Sequence, residues 1–274
     1  MINVPPASDH AEVDLGIAAG VTDRGLRHSR NEDSMALASQ QTPDGLVVVA
    51  VVCDGVSSSA RPDEASHVAA NAALPVLVAA VQAGSDLAEA SRAAVLAGRQ
   101  SVAGLQEPAN ERSATTFISA VAARDLVTLC WLGDSRAYWL AQPEADSAPL
   151  TRDDSVAGGM VEAGLATEEA AMASPHAHVL TRWLGAEAAD LNSDPARAPH
   201  VQTYAPSGTG VLMICSDGLW NYLPDAADLA GLALPKALTD PLGAAGDMVQ
   251  FAVDAGGGDN ITVVLIPYPA PEPH

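Results

Sequence analysis

Four aspartates stand where an apolar run, predicted to be a β-strand, meets a turn. They are Asp54, Asp134, Asp217 and Asp259. A carboxylate beside a buried strand is costly unless it is paired or bound to a cation. Ligand sets made only of oxygen suit Mg²⁺ or Mn²⁺ better than Zn²⁺. The repeated placement, together with an acidic pair at Glu32 and Asp33 just ahead of another apolar segment, predicts a shared divalent-metal site.

A plainer interpretation competes with this one. Two of the aspartates precede glycine, at residues 54–55 and 217–218. Asp-Gly is among the strongest hairpin signals, so each site alone is also explained as a turn. The residue types and their spacing do not decide between a shared metal site and a set of simple turns.

The elements that must position these residues follow from periodicity and composition. Apolar β-like runs cover residues 13–22, 46–53, 115–123, 126–132, 136–141, 201–204, 210–215 and 261–266. Alanine-rich segments at 63–83, 86–105, 225–234 and 238–253 predict two helix pairs. The helix at 63–83 is expected to be broken or kinked at Pro75. A tight turn at Arg124 and Asp125 favours antiparallel pairing. Residues 143–200 carry little β signal and predict short helices and loops. The pattern indicates one α+β domain.

Charge and cysteine content restrict the partners and the compartment. The 274 residues include 34 acidic and 13 basic side chains, a net charge of −21, which nucleic acid would repel. Cys53, Cys130 and Cys215 lie in predicted strands without metal spacing, so we expect reduced core residues in a cytoplasmic protein. No signal peptide or membrane-length apolar run is apparent. We expect a monomer with a disordered tail at 269–274.

A series of motifs in fixed order resembles the metal-dependent protein phosphatases of the protein phosphatase 2C type, in their bacterial form. The resemblance spans about residues 15–267. Its motifs are TDRGLRHSRNEDS (22–34), VCDGV (52–56), SATT (113–116), WLGDSRAYWL (131–140), LTRDDS (150–155), a stretch from GLATEEA to TRWLG (164–185), CSDGLW (215–220) and GGGDNITVV (256–264).

The resemblance implies a fold, an activity and a role for each matched residue. The fold is an α+β sandwich of two antiparallel β-sheets flanked by helix pairs, in a single domain at 8–268 with a flap at about 155–200. The activity is hydrolysis of phosphoserine and phosphothreonine in proteins, opposing a serine/threonine kinase, with water activated by two Mn²⁺ or Mg²⁺ ions and a weak third. By position, Asp54 bridges two metals, Gly55 offers its carbonyl, Asp217 and Asp259 complete a site, Glu32 and Asp33 hold waters of the ions, and Asp134 belongs to the third site.

The sequence departs from the family where the substrate phosphate should bind. His28 occupies the position of the family's phosphate-binding arginine, so the candidates for that contact are His28 together with Arg30, or Arg27 or Arg30 without His28. Because alternate residues of an extended strand share a face, His28 and Arg30 are expected on one side. Ser57 to Ser59 replace the usual glycines and histidine, and Val56 replaces a histidine proposed as general acid.

These departures motivate an alternative function: a catalytically weak phosphatase-like domain that binds a phosphoprotein as a regulatory module. The family's Asp-His-Ser is here residues 153–155, Asp-Asp-Ser. We attribute Thr115 and Thr116 to β-propensity, and His176 and His178 to surface or packing positions in the flap.

Overall fold

The computed structural model describes residues 2–5, 7–106, 112–185 and 198–268. The expected tail at 269–274 and part of the expected flap, 186–197, lie outside these ranges. The described chain forms two six-stranded antiparallel sheets and a two-stranded sheet. The α+β sandwich expected from the sequence is therefore confirmed, whereas the 8–268 domain boundary stays a prediction.

The first sheet has the strand order β1-β4-β5-β7-β8-β12. Its strands are β1 (Ile2–Asn3), β4 (Asp33–Thr42), β5 (Gly45–Asp54), β7 (Phe117–Ala122), β8 (Val127–Leu132) and β12 (His200–Tyr204). The second sheet has the order β10-β9-β13-β14-β3-β2. Its strands are β2 (His10–Asp14), β3 (Ala19–Asp23), β9 (Arg136–Ala141), β10 (Ala148–Pro149), β13 (Gly210–Cys215) and β14 (Ile261–Tyr268). The small sheet pairs β6 (Ala114–Thr115) with β11 (Leu184–Gly185).

Helices cover the outer faces of the two large sheets. The bounds are α1 (Pro62–Ala83), α2 (Leu87–Ala103), α3 (Val156–Glu162), α4 (Glu168–Met172), α5 (Asp217–Trp220), α6 (Ala226–Ala237) and α7 (Pro241–Asp254). The pair α1 and α2 packs on the first sheet, and α6 and α7 pack on the second. Although α1 is long and apolar enough to cross a membrane, its buried face packs on β4 and β5, as expected of a core helix.

The apolar runs of the central strands are buried on both faces, which explains why they lack polar alternation. Between the sheets, residues such as Leu37, Ile118 and Ile214 form one core cluster. A second cluster lies between the first sheet and α1–α2, and a third lies between the second sheet and α6–α7. The helix pair α1–α2, the two large sheets and the helix pair α6–α7 thus form four packed layers. Loops at one end of these layers can present functional groups.

Three expectations about elements were wrong in detail. Residues 13–22 form a hairpin, not one strand, because Gly16 adopts a φ of 74° and its amide donates to Asp14 Oδ1 over 2.7 Å. The strand expected at 115–123 divides at Thr116, where pairing passes from the small sheet to the first large sheet. Of the break or kink expected in α1 at Pro75, the break is absent, because the helix continues through this residue and Leu74 and Leu77 beside it are fully buried in the core.

Candidate active site

Strand ends bring the acidic residues to one end of the sandwich. Asp33 begins β4 and Asp54 ends β5, and the two are direct partners across an antiparallel ladder. Asp134 lies in the turn from β8 to β9, Asp217 comes two residues after β13, and Asp259 comes two residues before β14. Because β13 and β14 are antiparallel neighbours, the end of the first and the start of the second meet.

Asp54 is held by the two threonines that the sequence analysis assigned to β-propensity. The Asp54 amide donates to Thr116 Oγ1 (3.0 Å), and the Thr116 amide donates to the Asp54 carbonyl (2.7 Å). Thr115 Oγ1 donates to the same carbonyl over 2.9 Å. Thr116 Oγ1 is also 2.8 Å from Ser135 Oγ, next to Asp134. Thr115 and Thr116 are therefore positioning residues.

The glycines after Asp54 and Asp217 do not mark hairpins. A Cβ on Gly55 would lie 2.4 Å from the Pro62 carbonyl oxygen, and one on Gly218 would lie 2.0 Å from that of Asn260. Each glycine is required by close backbone approach, which brings another segment against the preceding aspartate. The turn interpretation is thus wrong for both sites, since Asp217–Gly218 begins α5 and Asp54–Gly55 runs on toward the small sheet.

Asp33 is buried, and only one of its two carboxylate oxygens accepts hydrogen bonds from the described chain. Its Oδ2 accepts hydrogen bonds from Ser216 Oγ and Thr262 Oγ1, each over 2.7 Å. Its Oδ1 is buried with no hydrogen-bond partner in the described chain. Burial of an acceptor without a partner is unfavourable, so this oxygen fits a site completed by a group from outside the chain.

Glu32 lies in a small polar network with the expected phosphate-binding residues. Its Oε2 accepts from Ser57 Oγ over 2.6 Å, and its Oε1 accepts from Arg30 Nε over 3.2 Å. His28 Nε2 lies 3.2 Å from Asp259 Oδ1, and Arg30 also pairs with Asp63. Residues 25–30 form turns and bends, so the extended-strand argument that placed His28 and Arg30 on one face was wrong.

The turn that carries Asp134 rests on an aromatic stack. Trp220 Nε1 donates to the Asp134 carbonyl over 2.9 Å. The Arg136 guanidinium lies 3.7 Å from the Trp220 ring centroid, and the His178 ring stacks nearly parallel to that ring, with 6.0 Å between centroids. Arg136 is in turn held by both oxygens of Asp153, at 2.9 and 2.8 Å.

The flap is attached to the same region through the aspartate that replaces the family's histidine. Asp154 Oδ1 lies 3.0 Å from Arg182 Nη1 and 2.9 Å from His200 Nε2. Its Oδ2 accepts from the Gly133 amide over 3.2 Å. Asp154 therefore ties the flap and β12 to the residue that precedes Asp134.

A cleft of about 570 Å³ opens over the acidic residues. Four of them, Asp54, Asp134, Asp217 and Asp259, line it. The opposite wall comes from residues 56–59, Arg112 to Ala114, and His178 to Leu180 with Trp183 of the flap. His28, Arg27, Arg30, Glu32 and Asp33 are not among the lining residues, although Glu32 and Asp33 contact residues that neighbour it.

The carboxylates perturb one another strongly. Burial raises the pKa of Asp33 to about 7, against the lowering effect of its hydrogen bonds from Ser216 and Thr262. Burial, with the nearby charge of Asp153, raises the pKa of Asp134 to about 7. Burial and the neighbouring aspartates raise the pKa of Asp54 and of Asp217 well above the usual value. Such a group of mutually repelling acids favours binding of a cation.

The donor set fits Mn²⁺ or Mg²⁺. Carboxylate oxygens and the Gly55 carbonyl are hard oxygen donors, and the orphaned Asp33 Oδ1 adds one more. Within the described ranges, no three His, Cys, Asp or Glu side chains form a ready-made cage. These ions commonly keep several waters, so carboxylates spread around a cleft can hold them through bridging waters.

Two residues of the cleft wall, Arg112 and His178, were not predicted from the sequence. Arg112 carried no motif signal beyond its place directly ahead of SATT. His178 was assigned to a surface or packing position in the flap; it is exposed, but it also lines the cleft on the Trp220 stack. For His178 the available signal was an imidazole inside the matched stretch at 164–185.

Comparisons with known proteins agree with this geometry. The family described as Protein phosphatase 2C matches residues 24–238. The chain is 28% identical over 255 residues to the serine/threonine protein phosphatase PstP of Mycobacterium tuberculosis, covering 90% of this chain and 44% of PstP. It therefore spans less than half the length of that relative.

Two further relatives are matched over nearly their full length. The serine/threonine phosphatase stp of Listeria innocua is 29% identical over 261 residues, covering 89% of this chain and 93% of stp. The solved catalytic domain of PstP, in complex with two manganese ions, superposes with a TM-score of 0.68 at 25% identity, covering 90% of this chain and 96% of that one. Because the family match spans most of the chain and includes Asp54, Asp134 and Asp217 of the cleft, the chain belongs to the protein phosphatase 2C family.

Proposed function

We propose that the chain is a metal-dependent phosphatase that hydrolyses phosphoserine and phosphothreonine in proteins. The observation that carries this proposal is the convergence of Asp54, Asp134, Asp217 and Asp259 on one open cleft. Closely grouped carboxylates that repel one another are unfavourable in a domain that only binds proteins, but they are suited to holding divalent cations. The relative PstP was solved with two manganese ions, which supports Mn²⁺ or Mg²⁺ here.

The roles of the residues follow from their placement. Asp54, with the Gly55 carbonyl, is the proposed ligand shared by two ions, and Asp217 and Asp259 complete the second site. Glu32 and Asp33 would hold coordinated waters, and Asp134 with Asp217 would form a weaker third site. Bound ions would neutralise the phosphate dianion and lower the pKa of water toward neutrality. The chain itself fixes these ligands through Thr115, Thr116 and the backbone contacts of the two glycines.

The alternative of a binding module rests on the altered residues near His28 and Ser57 to Ser59. In the structure, Ser57 bonds Glu32 and His28 contacts Asp259, so the changed residues still organise the acidic site. That arrangement favours the enzyme. A cytoplasmic location, a kinase counterpart and a monomeric state stay predictions; the three buried free cysteines support a reducing compartment.

Hydrolysis of para-nitrophenyl phosphate and of a phosphothreonine peptide, with Mn²⁺ and with EDTA, tests the proposal. We expect turnover only with metal. Asp217→Asn should keep the fold and remove most activity, because a neutral amide binds Mn²⁺ poorly. Asp44→Asn, which removes one exposed charge from the β4–β5 turn, is the matched control. Wild-type activity in Asp217→Asn at saturating Mn²⁺ would refute the metal assignment, and peptide binding without turnover in the wild type would favour the module.

A further inference from the structure

We propose that Arg112 is the substrate-anchoring cation of the cleft and binds an anionic group of the phosphopeptide. The inference rests on the proposed function, since it concerns what enters the same cleft. The anion is either the phosphoryl group itself or a carboxylate on a residue that flanks the phosphorylated one.

Arg112 is fixed relative to the acidic end of the cleft. Its carbonyl accepts from the Ala60 amide over 3.2 Å, and the Val56 amide donates to the Ala114 carbonyl over 2.9 Å. The Ala114 amide donates to Ser59 Oγ over 3.2 Å. The segment that carries Arg112 is thus hydrogen-bonded to the segment that directly follows Asp54, and the exposed Arg112 side chain lines the cleft from this base.

Arg112 is a positively charged residue in a cleft that is otherwise acidic. Of the described residues that line it, Arg112 is the only lysine or arginine, and four others are aspartates. The whole chain carries a net charge of −21. In addition to the proposed ions, a positive charge at this position would attract an anionic substrate to an acidic surface, and the guanidinium fork matches the oxygens of phosphate or carboxylate. The candidates expected from the motif, His28, Arg27 and Arg30, are not among the residues that line the cleft.

The wall beside Arg112 suits a peptide. Trp183 is 40% exposed and lines the cleft with Val179 and Leu180. A Cβ on Gly185 would lie 3.1 Å from the Trp183 ring and 3.3 Å from the carbonyl oxygen of Ser113, the neighbour of Arg112. An apolar surface and a cation therefore adjoin, as expected for a site that binds a peptide segment carrying an anion.

Steady-state kinetics at saturating Mn²⁺ with three substrates test the assignment. The substrates are para-nitrophenyl phosphate, a phosphothreonine peptide with flanking aspartates, and the same peptide with flanking asparagines. The variants are Arg112→Ala and Arg112→Lys, with Arg124→Ala as control, because Arg124 is exposed in the β7–β8 turn at the opposite end of those strands. We expect Arg112→Ala to raise KM about tenfold or more at nearly unchanged kcat, as for loss of a charge-assisted hydrogen bond. Arg112→Lys should raise KM less than Arg112→Ala does.

Each outcome has a defined meaning. A KM increase with all three substrates assigns Arg112 to the phosphoryl group, and an increase only with the acidic peptide assigns it to a flanking carboxylate. Unchanged KM with every substrate, or a fall in kcat alone, overturns the proposal. If the wild type shows no metal-dependent turnover, the proposed function fails, and titration of the acidic phosphopeptide into wild type and Arg112→Ala still decides the role of Arg112: equal affinities overturn it.

Discussion

The stability of the metal-free protein should depend on the ionisation of Asp33. This side chain is 8% exposed, and burial raises its pKa to about 7. In the unfolded chain an aspartate has a pKa of about 3.9. Between these two values the folded protein binds the proton and the unfolded chain does not. The contribution of Asp33 to stability is therefore complete below about pH 4 and is lost as pH rises through about 7.

The magnitude follows from the width of that window. A difference of about three pKa units at 1.36 kcal/mol per unit corresponds to about 4 kcal/mol, of which about 3 kcal/mol is lost between pH 5 and pH 8. Asp33→Asn removes this titration. The amide oxygen can still accept from Ser216 and Thr262, and the amide nitrogen takes the place of Oδ1, which lacks a partner in the described chain. We therefore expect stability similar to the wild type at pH 5 and about 3 kcal/mol greater at pH 8.

Urea unfolding in EDTA at several pH values between 5 and 8 measures this difference. Asp44→Asn is again the control, because it removes one exposed carboxylate and should leave the pH dependence unchanged. Saturating Mn²⁺ should narrow the difference between the two proteins at pH 8. A ligand at one hundred times its dissociation constant stabilises by about 2.7 kcal/mol, and Asp33→Asn should gain less of this. The reasoning would be refuted if wild type and Asp33→Asn lost the same free energy of unfolding between pH 5 and 8 in EDTA.

Two further substitutions separate the roles of residues around the cleft. Asp134→Ala should retain the tight Mn²⁺ sites in calorimetric titration while turnover falls; loss of those sites would make Asp134 a core ligand or a folding determinant. His28→Ala should weaken Mn²⁺ binding about 10- to 100-fold, because His28 orients the Asp259 carboxylate, and should leave KM at saturating Mn²⁺ unchanged. A higher KM with unaltered Mn²⁺ affinity would instead make His28 a phosphate ligand, as its position in the motif suggested.

Much of the architecture could be predicted because it depends on local pattern. The apolar run at 46–53 and the alanine-rich segments at 63–83 and 86–105 became β5, α1 and α2 with boundaries shifted by at most two residues. The family and the sandwich predicted from the ordered motifs were both confirmed. The hairpin at 13–22 was missed because one glycine in a left-handed conformation and one Asx contact decide it, and both lie inside an otherwise strand-like run.

The sequence by itself determined which residues could hold a cation: aspartates beside apolar strands, in a fixed order of motifs. It left open whether Asp-Gly marked turns or ligands, since composition is the same in both cases. Tertiary structure decided this through the backbone of Pro62 and Asn260, which approach Gly55 and Gly218 too closely for any side chain. It also decided that Arg112 lines the cleft while His28 lies against Asp259. Such placements depend on contacts between segments far apart in the chain, and no local pattern of residues encodes them.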